Sequence, residues 1–135
     1  MSWQIYVDGA SSGNPGNSGA GVVIFDENGA EVFRDSIFLG KMTNNMAEYE
    51  ALVRALEKVR EYDIQEIVVY TDSLLMANQV NGTYKINNNT LRQYAIKIKS
   101  LICNFNRFTI QYIPREQNRI ADKLAKDGIK KGVDG

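Results

Sequence analysis

The chain has no histidine, one cysteine and two prolines among its 135 residues. The missing histidines exclude histidine-based catalytic triads and histidine-ligated zinc, and Cys103 alone cannot build a zinc site or an internal disulfide. A lone thiol fits a reducing compartment, so a cytoplasmic location is expected. Neither charge is in excess. Sixteen basic and sixteen acidic residues give a formal net charge of zero, which argues against gripping nucleic acid by bulk charge but leaves room for a local basic patch. No apolar run approaches the length of a membrane span, and the opening "MSWQIYVDG" lacks the basic and apolar regions of a signal peptide. Repeats, low-complexity tracts and linkers are absent as well.

What is present describes an ordinary globular domain: 44% hydrophobic and 24% charged residues in a length that suits one domain, taken as 1–135. "WQIYVDG" alternates, with Trp3, Ile5 and Val7 on one side and Gln4, Tyr6 and Asp8 on the other, as a half-buried strand does. After the loop "ASSGNPGNSG", residues Ala20 to Phe25 form a second apolar run. Asn28-Gly29 is a strong hairpin signal, and Glu31 to Leu39 returns as a third strand. A helix is predicted from Asn44 to Tyr62. "IQEIVVYTD" is short and densely apolar, as expected for a strand buried on both faces. "SLLMANQV" reads as a short helix, "NGTYKINNN" as a polar loop, and "NTLRQYAIKIKSLICNF" as a helix with Leu91, Tyr94, Ala95, Ile98 and Leu101 on one stripe. "RFTIQYI" is a last strand ended by Pro114. The final helix begins at Asn118, a candidate N-cap, and has Gly128 near its end. Three consecutive strands followed by alternating helices and strands make a mixed α/β sheet with packed helices. Ligands of such sheets bind beyond the carboxyl ends of the strands.

One side chain is misplaced on this scheme. In "NNMAEYEALVRALEKV", Leu52, Ala55, Leu56 and Val59 form the apolar stripe, and Glu48 points the same way. Glu50, Arg54, Glu57 and Glu61 occupy the opposite face. A carboxylate aimed at an apolar face costs several kcal/mol unless it is paired. Either the helix end is frayed and wet there, or Glu48 has a cationic partner.

Three more acids fall on the same edge. Asp8 closes the first strand and Asp72 the fourth, so parallel neighbours would release both carboxylates together. Asp122 lies early in the last helix, within a turn of the inward Ala121 and Ala125. Converging carboxylates repel unless a cation neutralises them, and oxygen-only ligands point to a hard ion, Mg²⁺ first and Mn²⁺ second. Each acid alone has a structural reading. Asp8 and Asp72 terminate strands, Asp72 also caps the helix that starts at Ser73, and Asp122 complements a helix dipole.

"YVDGASSGNPG", "TNNMAEYEAL", "YTDS" and "NRIADKLA" occur in this order over nearly the whole chain and together resemble the type 1 ribonuclease H family. "DGxxxGNPG" and "TNNxxE" are the specific parts. The resemblance implies a ribonuclease H-like fold: a five-stranded mixed sheet, three antiparallel strands then two parallel, flanked by helices. It matches Asp8, Glu48, Asp72 and Asp122 to the family's four active-site carboxylates. It also implies two Mg²⁺ ions, hydrolysis of the RNA strand of RNA–DNA hybrids, and 5′-phosphate and 3′-hydroxyl ends. The 2′-hydroxyl distinguishes RNA from DNA, and amides suit it. The resemblance places Asn14, Asn44 and Asn45 in the minor groove and Thr43 near a DNA phosphate. Read structurally, Asn14 is a turn residue before Pro15, and Asn44 or Asn45 is a helix N-cap.

The chain departs from the family in two places. Many members carry a histidine in the loop before the last acidic helix, whereas this loop reads "PREQN", with Arg115 and Glu116. Arg115 is expected to meet substrate or product phosphate. The basic helix–loop that some members use to grip the hybrid is missing. "NGTYKINNN" offers only Lys85 as a cation, with Tyr84 able to pack on a sugar, and reads equally as a solvated loop. Lys123, Lys126, Lys130 and Lys131 read as a solvated helix face. Rival readings are a same-fold nuclease acting on double-stranded RNA, a binding module with a decayed site, and a nuclease domain cut from a longer polypeptide. A free-standing monomeric enzyme is expected.

Overall fold

The computed structural model describes residues 2–82 and 85–134. Its strands are β1 (Trp3–Ser11), β2 (Gly16–Phe25), β3 (Glu31–Met42), β4 (Glu66–Thr71) and β5 (Arg107–Tyr112). They form one five-stranded sheet in the order β3-β2-β1-β4-β5. β2 pairs antiparallel with both β1 and β3, while β4 lies parallel to β1 and to β5. This is the mixed sheet expected from the element order. Asn28-Gly29 makes the β2–β3 turn: Asp26 Oδ1 accepts the Asn28 and Ala30 amides, and Gly29 takes a positive φ of 82° that suits glycine.

The first hairpin is longer than the sequence pattern indicated. β1 continues through Asp8 to Ser11, and β2 starts at Gly16. Asp8 therefore sits inside β1, paired with Gly21, and does not close the strand. Glycine, alanine and serine in "GASSGNPGNSG" carry no apolar alternation, so the ladder there is invisible to periodicity. β4 departs differently. Ile67 and Val69 are fully buried, but Val68 and Tyr70 on the other face are only half-buried. Tyr70 stacks on Tyr6 of β1 at 4.8 Å instead of lying beneath a helix.

Among the described residues the sheet is accompanied by four α-helices, α1 (Asn44–Val59), α2 (Leu74–Val80), α3 (Asn89–Ile102) and α4 (Arg119–Asp134), and by 3-10 turns at Arg60–Tyr62 and Arg115–Gln117. Leu52, Ala55, Leu56 and Val59 of α1 are fully buried against Ile5, Val7, Val22, Ile24, Ile67 and Val69, and Ile98 of α3 joins this core. Truncating a leucine at such a site costs about 2–5 kcal/mol through lost transfer energy and the cavity left behind. α4 crosses the opposite face, over β2 and β3. It lies against the sheet backbone itself. A Cβ on Gly21 would come within 2.1 Å of the Ala121 carbonyl oxygen, and one on Gly19 within 2.2 Å of the Ala125 oxygen. Gly128 does not end this helix, which runs on to Asp134. It is a contact glycine, since a Cβ there would lie 2.4 Å from the Ile37 carbonyl oxygen. Close approach of backbone to backbone thus replaces the helix-stop role as its reason.

Candidate active site

Register brings the acids together. Val7 and Thr71 are the last pair of the parallel β1–β4 ladder, so Asp8 and Asp72 follow side by side. α1 begins over the same place because Thr43 caps it, its Oγ1 accepting the Met46 amide at 3.2 Å. Gly9 then lets α1 touch β1: a Cβ there would lie 2.3 Å from the Ala47 carbonyl carbon and 2.4 Å from the Glu48 nitrogen. This contact drives Glu48 inward, where it is 5% exposed and its Oε1 accepts the Gly9 amide at 2.6 Å. The helix end is neither frayed nor supplied with a cationic side chain. Glu48 meets a backbone N–H and a second acid.

Asp8, Glu48 and Asp72 each offer a carboxylate oxygen within 4.8 Å of the others. They lie in a cleft of about 510 Å³ that also receives Asp122, Arg115 and Lys126. Burial pushes the Asp8 carboxyl far above its ordinary value, to about 10, and the charges of Glu48 and Asp72 push the same way. Burial likewise raises Glu48, to about 8, although the Gly9 amide opposes the shift by stabilising the anion. The Asp8–Glu48 pair thus retains a proton at neutral pH when no cation is bound. Asp122 behaves otherwise. It is not part of the tight trio. Burial works against its ionisation, yet hydrogen bonds from Lys126 and Asp8 and the charge of Arg115 hold it below the ordinary value. Lys126 Nζ lies 3.0 Å from Asp122 Oδ2, and an Arg115 guanidinium nitrogen lies 3.3 Å from Oδ1.

The donor set fits a hard divalent cation: it is all oxygen, with Asp8 and Glu48 buried and Asp72 half-buried beside them. No cysteine or histidine competes with it. The two cleft hydroxyls are already engaged. Ser73 Oγ caps α2 by accepting the Met76 amide at 3.1 Å, and Ser11 Oγ donates to the Met42 carbonyl at 3.0 Å. Because Ser73 is the cap, Asp72 is not, and of its two structural readings only that of a residue ending β4 remains.

The remaining expected residues divide. Asn44 lines the cleft, and its backbone amide donates to Asn14 Oδ1 at 3.1 Å, which ties the "GNPG" turn to the start of α1. Thr43, not Asn44 or Asn45, is the N-cap. Asn45 is exposed and Lys85 lies exposed on its loop, outside the cleft lining. Tyr84 falls outside the described residues. Glu116 does not join the acids; it lines a separate cavity with Gln4 and Tyr6 on the α4 side of the sheet. Lys126 departs from the solvated helix face expected for it: it sits one turn after Asp122 and reaches back to it, an i,i+4 pair visible in "DKLAK". Asn118 makes no side-chain cap. Its amide nitrogen donates to the Val7 carbonyl at 2.9 Å and to Asp72 Oδ2 at 3.2 Å. Nothing in the local sequence marks these two Asn118 contacts, because the partners lie on β1 and just past the end of β4.

Fold and site together define an α/β domain built around a buried cluster of carboxylates. The profile of the family described as "Reverse transcriptase-like" matches residues 6–128. Ribonuclease HI of Halobacterium salinarum is 36% identical over 124 residues, covering 92% of this chain and 62% of that protein. A bifunctional protein of Mycobacterium tuberculosis is 33% identical over 126 residues, 93% of this chain but 35% of its own length. The chain thus spans less than two thirds of either relative. Among solved structures, LC11-RNase H1 in complex with an RNA/DNA hybrid is 40% identical with a TM-score of 0.92, covering 97% of this chain and 99% of that one. The chain belongs to the ribonuclease H-like family. Among the described residues no helix is long and apolar enough to cross a membrane.

Proposed function

We propose that this chain, as a single domain over 1–135, is an endoribonuclease that hydrolyses the RNA strand of RNA–DNA hybrids with divalent cations. The observation that carries this reading is the trio Asp8, Glu48 and Asp72, brought within 4.8 Å of one another from β1, α1 and β4 at the floor of a cleft. Asp8, Glu48 and Asp72, with Asp122 beside them, would hold two Mg²⁺ ions, or Mn²⁺ in their place. Such a pair supplies activation of water and stabilisation of the leaving oxygen at one phosphate. With Ser11 and Ser73 engaged and no cysteine or histidine at hand, the nucleophile is water and no covalent protein intermediate forms. The products are 5′-phosphate and 3′-hydroxyl ends. The relative solved with an RNA/DNA hybrid supports the choice of substrate.

The chain's own groups set the order of events. The Gly9 amide holds Glu48 in place, and a cation bound by Asp8 and Glu48 would favour their anions, their proton passing to solvent. Arg115 and Lys126 pair with Asp122 and, lining the same cleft, would meet substrate phosphate. Asn14 spends its oxygen on the Asn44 backbone, leaving its amide nitrogen as a donor to a 2′-hydroxyl, with Asn44 and Asn45 beside it. The DNA strand meets the capped start of α1 at Thr43, where backbone amides favour phosphate. Lys85 and Tyr84 serve the hybrid at its periphery, and the protein works as a monomer in the cytoplasm.

One labelled sequence offered as RNA–DNA hybrid, duplex RNA and duplex DNA tests this, with Mg²⁺, Mn²⁺ or chelator and beside Asp8→Asn. Metal-dependent cutting of the hybrid's RNA strand, lost in Asp8→Asn, is the expected result. Preferential cutting of duplex RNA would transfer the reading to a same-fold nuclease of different substrate. A folded protein that cuts nothing would make it a binding module.

A further inference from the structure

We propose that Asn118 is a positioning residue that orients the Asp72 carboxylate for cation binding by tying it to the backbone of β1. The inference rests on the reading of the acid cluster as a cation site. Asn118 is 1% exposed, and its side-chain nitrogen has two hydrogens for two acceptors, the Val7 carbonyl at 2.9 Å and Asp72 Oδ2 at 3.2 Å. Val7 belongs to the last register pair of β1 with β4, where the ladder runs out, and Asn118 takes up its carbonyl. Val7 also precedes Asp8, so one amide group spans the two acid-bearing strands.

The orientation of that amide is fixed by chemistry. The reverse orientation would press an oxygen against both a carbonyl and a carboxylate. The observed one leaves Asn118 Oδ1 buried without a hydrogen-bond partner. Buried polar atoms are nearly always paired, and an unpaired one marks a place where another requirement prevails. Here the requirement is the pair of donations from the nitrogen. A helix cap would have used the oxygen, so capping is not why an asparagine stands at this position.

The backbone of Asn118 extends the link. Its N–H donates to the Arg115 carbonyl at 2.9 Å, and its carbonyl accepts the Asp122 amide at 3.0 Å. Asn118 therefore joins the carriers of Asp8, Asp72 and Asp122 and anchors the loop that holds Arg115. With Oδ2 engaged, rotation of the Asp72 carboxylate is restrained and its other oxygen remains for the cluster. Groups that hold metal ligands in this way typically alter metal affinity by 10–100-fold when removed.

The test uses the full chain and two probes. Mn²⁺ binding by calorimetry to wild type and Asn118→Ala should show at least about a tenfold weaker Kd in the variant. The Mg²⁺ concentration for half-maximal hybrid cleavage should rise in step, while KM for hybrid at saturating Mg²⁺ stays constant. A variant that merely melts earlier, with an unchanged Mn²⁺ Kd, would overturn the proposal and assign Asn118 to fold stability alone. Should Asn118→Ala fail to fold, NMR of the wild-type chain decides. The Asn118 side-chain amide protons should exchange slowly with solvent and shift on addition of Mg²⁺, and fast exchange or no shift would refute the link. A wild-type chain that binds neither ion would overturn the cation-site reading and this inference with it, whereas metal binding indifferent to Asn118 would remove this inference only.

Discussion

Glu48→Gln should stabilise the cation-free protein while abolishing its activity. Glutamine keeps the length of the side chain and an oxygen for the Gly9 amide, and its NH₂ can donate to Asp8, so packing is conserved while one charge goes. Two carboxylates at the cluster's outer spacing of 4.8 Å repel by about 3.5 kcal/mol at an effective dielectric of about 20, equivalent to roughly 2.5 pKa units. The sign follows from proton uptake on folding. Asp8 and Glu48 have folded values above their unfolded ones, so the folded chain binds more protons and its stability falls as pH rises from the ordinary carboxylate range toward the raised values of about 8 for Glu48 and about 10 for Asp8. At pH 8 in chelator the variant should therefore be more stable than wild type by about 2–3 kcal/mol, or about 6–9 °C in Tm for a chain of this length. At pH 4.5 the gap should close, because both chains are then uncharged at this position. Adding Mg²⁺ at pH 8 should raise the Tm of wild type far more than that of the variant. Differential scanning calorimetry of both chains in these three conditions reads the stabilities, and a hybrid cleavage assay reads the loss of activity. A variant that melts at or below wild type at pH 8, or a gap that does not shrink on acidification, would refute the account of Glu48 as a strained acid awaiting positive charge.

Gly9→Ala should cost about 3 kcal/mol or more in urea unfolding, since its Cβ would strike the α1 backbone at 2.3 Å and no flexible side chain can yield. Arg115→Ala should raise KM for the hybrid several-fold, as phosphate contact is lost; an unchanged rate and affinity in steady-state kinetics would remove that role. Hybrid cleavage should fall steeply between low and moderate salt, because a chain of zero net charge holds the phosphate backbone through a few local cations; a flat profile would count against backbone tracking.

The sheet was legible wherever apolar periodicity was strong, as in Ile5 and Val7, Ala20 to Phe25 and the stripe of α1. Glu48 announced itself because a charge on an apolar stripe demands a partner. Three things could not be read locally. The small residues around Asp8 extend a strand without apolar alternation. Gly128 looks like a helix stop until β3 is laid across it. Asn118 looks like a cap until Val7 and Asp72 are seen beneath it. In each case the deciding atom lies on a distant element, and a one-dimensional pattern carries no signal of it. Lys126 differs, because its i,i+4 spacing to Asp122 is local and only the location of Asp122 gives it meaning.

The dependence of the cluster on α4 has a consequence for assembly. β1, α1 and β4 precede Arg115, Asn118 and Lys126 in the chain, so an intermediate that has folded only that far would gather three acids with the Gly9 amide alone to temper them. Its last helix brings the counterpart to Asp72 and Asp122 and seals the glycine-lined face of β2 in the same motion. Docking of α4 would therefore give the domain both its closure over β2 and the charge pattern around Asp122, and hydrogen exchange at the glycines of β2 would report the two events as one.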